Sequence, residues 1–278
     1  MSGAAPNGAT LSRFDGMTAI ITGASQGLGE AVARMMIARG LAGVTIAGRN
    51  QERGSAVRRD LEALGAKARF VAGDLADLAI VDRIIASHEA AFQTCDVLVN
   101  SAAITDRGSI IDTTPELFDR MFAINTRAPF FLMQGVAQMQ RAAGKPGAMV
   151  NVLSMSAHGG QSFLAAYSAS KGALLTLTKN TAFALVRDRI RVNAVCPGWM
   201  ETPGEDQIQR RVHGAQDGWL EGAVKELPQG RLVQMDEAAR AICFLASAES
   251  GLMSGASVDL DQSVAGCFES LPQAQPIG

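Results

Sequence analysis

Seven short apolar runs most limit what this chain can fold into: Thr18–Thr22, Val44–Ala47, Ala68–Ala72, Val97–Val99, Ala148–Leu153, Arg191–Val195 and Ala256–Leu260. Each is continuous rather than alternating, the pattern of a strand covered on both faces. Segments with helical spacing lie between them. Leu28–Arg39 carries Val32, Met35 and Met36 on one side, and Glu52–Leu64 carries Val57, Leu61 and Leu64. Leu78–Phe92, Pro115–Arg141, Ala165–Arg187 and Asp236–Ser247 complete the series. Thr114 is the expected N-cap of the segment that Pro115 opens. Strand and helix alternate throughout, which predicts an α/β fold: parallel pairing, right-handed crossovers and a three-layer sandwich.

Composition supports one large domain. The chain has 278 residues, 47% hydrophobic and 19% charged, enough to bury a sizeable core and too apolar for a disordered chain. No linker interrupts the middle, so residues 13–270 are read as the domain. Residues 1–12 and 271–278, rich in Gly, Ala, Pro and Gln, are read as flexible tails. Residues 199–235 break the alternation and are expected to form a substrate-binding insertion beyond a strand's carboxyl end. Lys and Arg total 25 against 27 Asp and Glu, so no basic excess points to nucleic acid. No apolar run is long enough to cross a bilayer, and Met1–Arg13 lacks the order of a signal peptide. Cys95, Cys196, Cys243 and Cys267 are far apart, and His88, His158 and His213 have no ligand spacing. Neither a disulfide scaffold nor a metal site is expected, and a reduced, cytoplasmic setting is.

Thr22-Gly23-Ala24-Ser25-Gln26-Gly27-Leu28-Gly29 joins the first strand to the first helix. Glycine allows the tight turn, small residues let the backbone approach a pyrophosphate, and the helix start offers free amides and partial positive charge. Gly23, Ser25, Gln26, Gly27, Leu28 and Gly29 are thus expected to hold a dinucleotide. The second strand ends in Gly48-Arg49-Asn50, with no acid to bond a ribose 2′-hydroxyl. Arg49 and Asn50 therefore favour NADP(H) through the 2′-phosphate, while Gln26, which supplies no second cation, leaves NAD(H) open. Asp74 and Leu75 close the third strand, where Asp74 is expected to accept from an adenine amino group; Asp77 suits the next N-cap better. Asn100 and Ala102 lie in the small-residue run after the fourth strand, beside a ribose.

Tyr167-Ser168-Ala169-Ser170-Lys171 contains the only tyrosine of the chain. On a helix, positions i and i+4 share a face, so the phenol and the ammonium can reach one ligand. A free phenol ionises near pH 10, and a nearby cation is expected to lower that value and create a proton donor-acceptor for an alcohol or carbonyl. Ser154, 13 residues earlier at the end of the fifth strand, can polarise the same oxygen. Asn125 interrupts a helical segment, where asparagine competes for backbone bonds; a local kink holding a water is expected there.

The order TGxxxGxG, Asn100-Ser101-Ala102-Ala103, a helical Asn125, Ser154, YxxxK and Pro197-Gly198 resembles the short-chain dehydrogenase/reductase family, over roughly residues 13–264. The resemblance implies a Rossmann-type, mostly seven-stranded sheet, a nicotinamide cofactor, no metal and a homotetramer or homodimer. It also implies a catalytic tetrad of Asn125, Ser154, Tyr167 and Lys171. Lys171 would bond the nicotinamide ribose as well, with Pro197, Gly198, Met200 and Thr202 lining the ring. Where relatives read Asn-Ala-Gly and Val-Asp-Gly-Gly, this chain has Asn100-Ser101-Ala102 and Val258-Asp259-Leu260-Asp261.

Ser154, Ser156, His158, Gln161 and Trp199 are the expected substrate contacts, with Trp219 from the insertion. Their donors, acceptors and indoles suit a small sugar, polyol or similar hydroxy compound. A 3-oxoacyl thioester reductase is the alternative, for which Arg210 and Arg211 would have to form a basic patch. A non-enzymatic dinucleotide sensor ranks lower, since Tyr167 and Lys171 are both present.

Overall fold

Both faces of every central strand are covered, and adjacent residues show it. The computed structural model describes residues 13–267. In the first strand, β1 (Thr18–Thr22), Ile21 packs into one core and Ile20 into the other. The remaining strands are β2 (Gly43–Gly48), β3 (Lys67–Ala72), β4 (Val97–Asn100), β5 (Gly147–Val152), β6 (Ile190–Pro197) and β7 (Ser257–Leu260). They form one seven-stranded sheet in the order β3-β2-β1-β4-β5-β6-β7. Every pair is parallel.

Helices α1 (Gly27–Ala38) and α2 (Gln51–Ala63) lie on the face that buries Val32, Met36, Val57 and Leu61. Helices α3 (Leu78–Phe92), α4 (Pro115–Phe122), α5 (Ala128–Ala142) and α6 (Ala165–Leu185) follow in the chain. Of these, α3, α5 and α6 bury Ile84, Leu132, Val136 and Leu174 against the other face. Two helices, α7 (Pro203–His213) and α8 (Trp219–Ala223), lie beyond β6, and α9 (Met235–Ala246) returns to the first face. The order in which strands join the sheet reverses between β1 and β4, so their parallel carboxyl ends open a crevice at the topological switch point.

The expected elements are present with shifted ends, and two differ in kind. The helical stretch begun by Thr114, whose hydroxyl accepts from the Leu117 amide, does not run unbroken to Arg141. Residues 123–127 form a π-helical turn between α4 and α5, with Asn125 inside it. Ser154 lies past the end of β5 and caps a 3-10 turn, Met155–His158. Residues 199–235 leave β6 and return: Glu201 donates to Val233 O at 3.0 Å and Val233 to Trp199 O at 2.9 Å. The expected tails, 1–12 and 271–278, lie outside the described residues.

Candidate active site

The crevice is a cleft of about 320 Å³. At one end Gly23 and Gly29 set the backbone course. Gly23 sits at φ +69°, and a Cβ there would meet Ala102 Cα at 2.8 Å; one at Gly29 would meet Gly23 O at 2.6 Å. The Thr22 hydroxyl accepts from the Ser101 and Ala102 amides, each at 3.2 Å, tying the β1 turn to the loop after β4. Gln26 stands at the N-cap of α1 without a side-chain capping bond. The amides of the first turn, Gly27 to Gly29, thus have no capping acceptor and line the cleft. Ser25, Gln26 and Leu28 line it too. A cradle without Cβ atoms, ending in uncapped amides, fits a pyrophosphate.

Arg49 and Asn50 line the cleft beyond β2, joined by Arg53, which the motifs did not single out. Asn50 Oδ1 accepts from the Arg53 amide at 2.8 Å, so the cap of α2 places Arg53 one turn beyond Arg49. That N-cap pattern was the signal available. Asp74 and Leu75 line the cleft as well. Asp77 caps α3, while Asp74 accepts from the Ala76 amide at 3.0 Å and from Arg120 at 2.6 Å. Burial pushes the Asp74 carboxyl up, but these two donors outweigh it and hold its pKa below the ordinary range. Ala102 lines the cleft; Asn100 does not, being 2% exposed with its side-chain amide donating to Asn151 at 2.9 Å.

At the other end lie Ser154, Tyr167, Lys171, Pro197, Gly198, Met200 and Thr202. Tyr167 and Lys171 are one turn apart on α6 and both buried, with the Lys171 nitrogen 5.8 Å from the centre of the phenol ring. That nitrogen donates to Val152 O at 2.8 Å. Burial works against the expected lowering of the phenol. Burial pushes Tyr167 up to about 12, and the hydrogen bond with Ser154 and the charge of Arg107 only partly oppose it. Burial also pushes Lys171 down to about 8. Loss of hydration is the largest cause for both groups.

Asn125 is fully buried and does not line the cleft. Its amide nitrogen donates to Ile104 O at 3.0 Å and to the Ser170 hydroxyl at 3.1 Å, and its oxygen accepts from the Ile104 amide at 3.0 Å. The extra residue of the π turn aims it at these partners, and such turns recur at functional sites.

Of the expected substrate contacts, only Ser154 lines the cleft. The Ser156 amide donates to Ser154 Oγ at 3.1 Å, and Gln161 is exposed. His158 pairs with Asp259 at 2.9 Å. The two indoles stack on each other, ring centres 6.0 Å apart and 28° between planes, rather than facing the cleft. Trp199 Nε1 donates to Glu205 at 2.9 Å. His158, Cys196 and Asp259, distant in sequence, bring ligand-type atoms within 4.8 Å of one another. The Lys171 ammonium acts on the Cys196 thiol, and its field opposes a cation there.

The family model described as enoyl-(acyl carrier protein) reductase matches residues 23–263. A sorbitol dehydrogenase of Cereibacter sphaeroides is 32% identical over 256 residues, covering 90% of this chain and 97% of that protein. A galactitol 2-dehydrogenase of Agrobacterium fabrum is 32% identical over 253 residues, with coverage of 90% and 97%. The crystal structure of L-sorbose reductase from Gluconobacter frateurii, complexed with NADPH and L-sorbose, superposes with a TM-score of 0.85 at 27% identity, covering 92% of this chain and 99% of that one. Matched by that family model over residues 23–263 and by a relative 32% identical over 90% of its length, the chain belongs to the short-chain dehydrogenase/reductase family.

Proposed function

We propose that the protein interconverts a secondary hydroxyl and a carbonyl on a small sugar or polyol, using NADP(H) in preference to NAD(H). The observation that carries this is a buried phenol and a buried amine, one turn apart, at one end of a cleft whose other end is a glycine cradle flanked by Arg49 and Arg53. NADP(H), when bound, supplies or takes the hydride. Gly23 to Gly29 would hold its pyrophosphate and Arg49 with Arg53 its 2′-phosphate. Pro197, Gly198, Met200 and Thr202 would line the nicotinamide. Tyr167, neutral as a phenol, donates its proton to the carbonyl oxygen in reduction and is left as the phenolate; in oxidation the phenolate takes the proton of the hydroxyl. The Ser154 hydroxyl hydrogen-bonds the same oxygen. Lys171 bonds the ribose hydroxyls and keeps positive charge beside the phenol. Asn125 holds the loop after β4 against α6 through Ile104 and Ser170.

The sugar reading is preferred to the oxoacyl thioester reading because the expected basic patch is neutralised. Arg210 pairs with Asp206 and Asp217, and Arg211 with Asp106. We further propose a cytoplasmic homotetramer or homodimer. Four free cysteines support a reducing compartment, and exposed Phe183 supports self-association. Among the described residues no helix is long and apolar enough to cross a membrane. The test is a turnover screen of polyols, aldoses, ketoses and oxoacyl thioesters with both dinucleotides, on wild type and Tyr167→Phe. Polyol or sugar turnover with NADP(H), reduced at least about a hundredfold by Tyr167→Phe with NADPH still bound, is expected. Turnover of oxoacyl thioesters alone, or an active Tyr167→Phe, would refute it.

A further inference from the structure

Two charged side chains outside the family motifs stand near Tyr167, next to residues that line the cleft rather than lining it themselves. Arg107 follows Thr105, which lines the cleft, and precedes Gly108. The Gly108 amide donates to Phe163 O at 2.9 Å and its carbonyl accepts from the Ala165 amide at 3.0 Å. Arg107 is thereby pinned beside the start of α6, where its guanidinium lies over the Phe163 ring at 5.6 Å. Glu205 is in the first turn of α7, directly after Gly204, which also lines the cleft. Both side chains are only 17% exposed, and both charges act on the Tyr167 phenol, in opposite directions.

Their hydrogen bonds are half made. Arg107 donates from Nε to His213 at 3.3 Å and from Nη1 to Thr105 O at 3.0 Å. Glu205 Oε1 accepts from Trp199 at 2.9 Å and from Gln209 at 2.7 Å. Arg107 Nη2 stands 3.8 Å from Oε1, too far for a hydrogen bond. Among the described residues, neither Arg107 Nη2 nor Glu205 Oε2 has a hydrogen-bond partner. A rigid donor and a rigid acceptor thus stand side by side, each with capacity left and still open to water, so that a ligand's hydroxyls can replace solvent there. The neighbouring Arg211–Asp106 pair adds no net charge.

We propose that Arg107 and Glu205 form the specificity pair of the substrate pocket, Arg107 Nη2 donating to one hydroxyl and Glu205 Oε2 accepting from its neighbour, so that the site selects an uncharged vicinal diol over a sugar acid. The proposal rests on the sugar or polyol reading of the same site. Adjacent hydroxyls offer one acceptor and one donor and match a pair of zero net charge. A carboxylate offers only acceptors, and it would set a second negative charge beside Glu205.

The test compares D-sorbitol with D-gluconate as probes in wild type, Glu205→Gln, Glu205→Asp and Arg107→Gln, alongside NADPH affinity by fluorescence. Wild type is expected to favour the hexitol. Glu205→Gln should raise the hexitol KM about tenfold and move the gluconate-to-sorbitol ratio of kcat/KM at least about tenfold toward gluconate, with NADPH affinity held. Glu205→Asp, which retains the charge, should raise the hexitol KM while keeping the wild-type order of preference. Arg107→Gln should raise the hexitol KM about tenfold with no gain on gluconate, and it decides the matter if the Glu205 variants do not fold. An unchanged ratio in Glu205→Gln, a wild type that prefers gluconate, or variants that lose kcat equally on both probes at constant KM would overturn the pair. A wild type that turns over no sugar or polyol, yet turns over another carbonyl through Tyr167, would overturn the carbohydrate reading itself.

Discussion

A phenol and an amine shut away from water each resist charge, and that resistance fixes the resting protonation around Tyr167. The phenol stays neutral because burial holds its pKa near 12, and the Lys171 amine titrates near 8, within reach of neutral pH. Adjacency alone suggested the reverse for Tyr167, because spacing along a helix reports distance but not hydration. In the proposed function, Arg49 at the end of β2 is the residue on which dinucleotide preference turns. A guanidinium–phosphate bond is charge-assisted and exists only for the 2′-phosphorylated cofactor. Arg49→Ala is expected to weaken NADPH binding about tenfold or more while changing NADH binding less than about twofold. Fluorescence titration with both dinucleotides checks it; equal losses for the two would assign Arg49 elsewhere.

Elements are held together here by buried polar ties, and the energetics of one depend on pH. His88 of α3 is fully buried and bonds Thr45 of β2 at 2.9 Å and the Thr94 carbonyl at 3.1 Å. Burial pushes its pKa down to about 4, while in the unfolded chain it returns to about 6.5. Between these values the unfolded state binds a proton that the folded state refuses. Stability from this group is therefore complete above about pH 6.5 and falls as pH drops toward 4, by about 3 kcal/mol in all. Urea unfolding at pH 7 and pH 4.5 should show the loss, and His88→Gln should flatten it. If wild type and variant lose stability in parallel, another group carries the acid limb. The π turn between α4 and α5 is a second buried polar tie, made by the Asn125 amide and independent of pH. The broken periodicity at Asn125 was legible as a kink, whereas its bonds to Ile104 and Ser170 join segments far apart in the chain.

For the whole molecule, the unresolved expense is apolar surface left on one side of the sheet. On α6, Leu174 and Leu185 enter the core, with Leu175 and Leu177 packed against it. Phe183 is the exception at 84% exposed, with Val186 at 56% just beyond α6 and Phe130 at 40% on α5. An aromatic ring so exposed is suited to burial against another copy of the chain. Phe183→Glu is expected to lower the solution mass by light scattering toward that of one chain, without loss of the far-ultraviolet helical signal. An unchanged mass would place the interface on another face.

The alternation of strand and helix, the glycine turn and the Tyr167–Lys171 pairing were all determined by the sequence. Each depends on neighbours within a few residues, where backbone geometry dictates which side chains share a face. Parallel pairing and right-handed crossovers were legible too, whereas the strand order, with β4 beside β1, was decided by the tertiary structure. Only the tertiary structure decided that Arg53 joins Arg49, that His158 meets Asp259, that Trp199 and Trp219 face each other, and that Arg107 stands beside Glu205. It alone set the direction of the Tyr167 shift. These outcomes rest on contacts between residues remote along the chain and on how much water reaches them, and neither quantity is written in local periodicity.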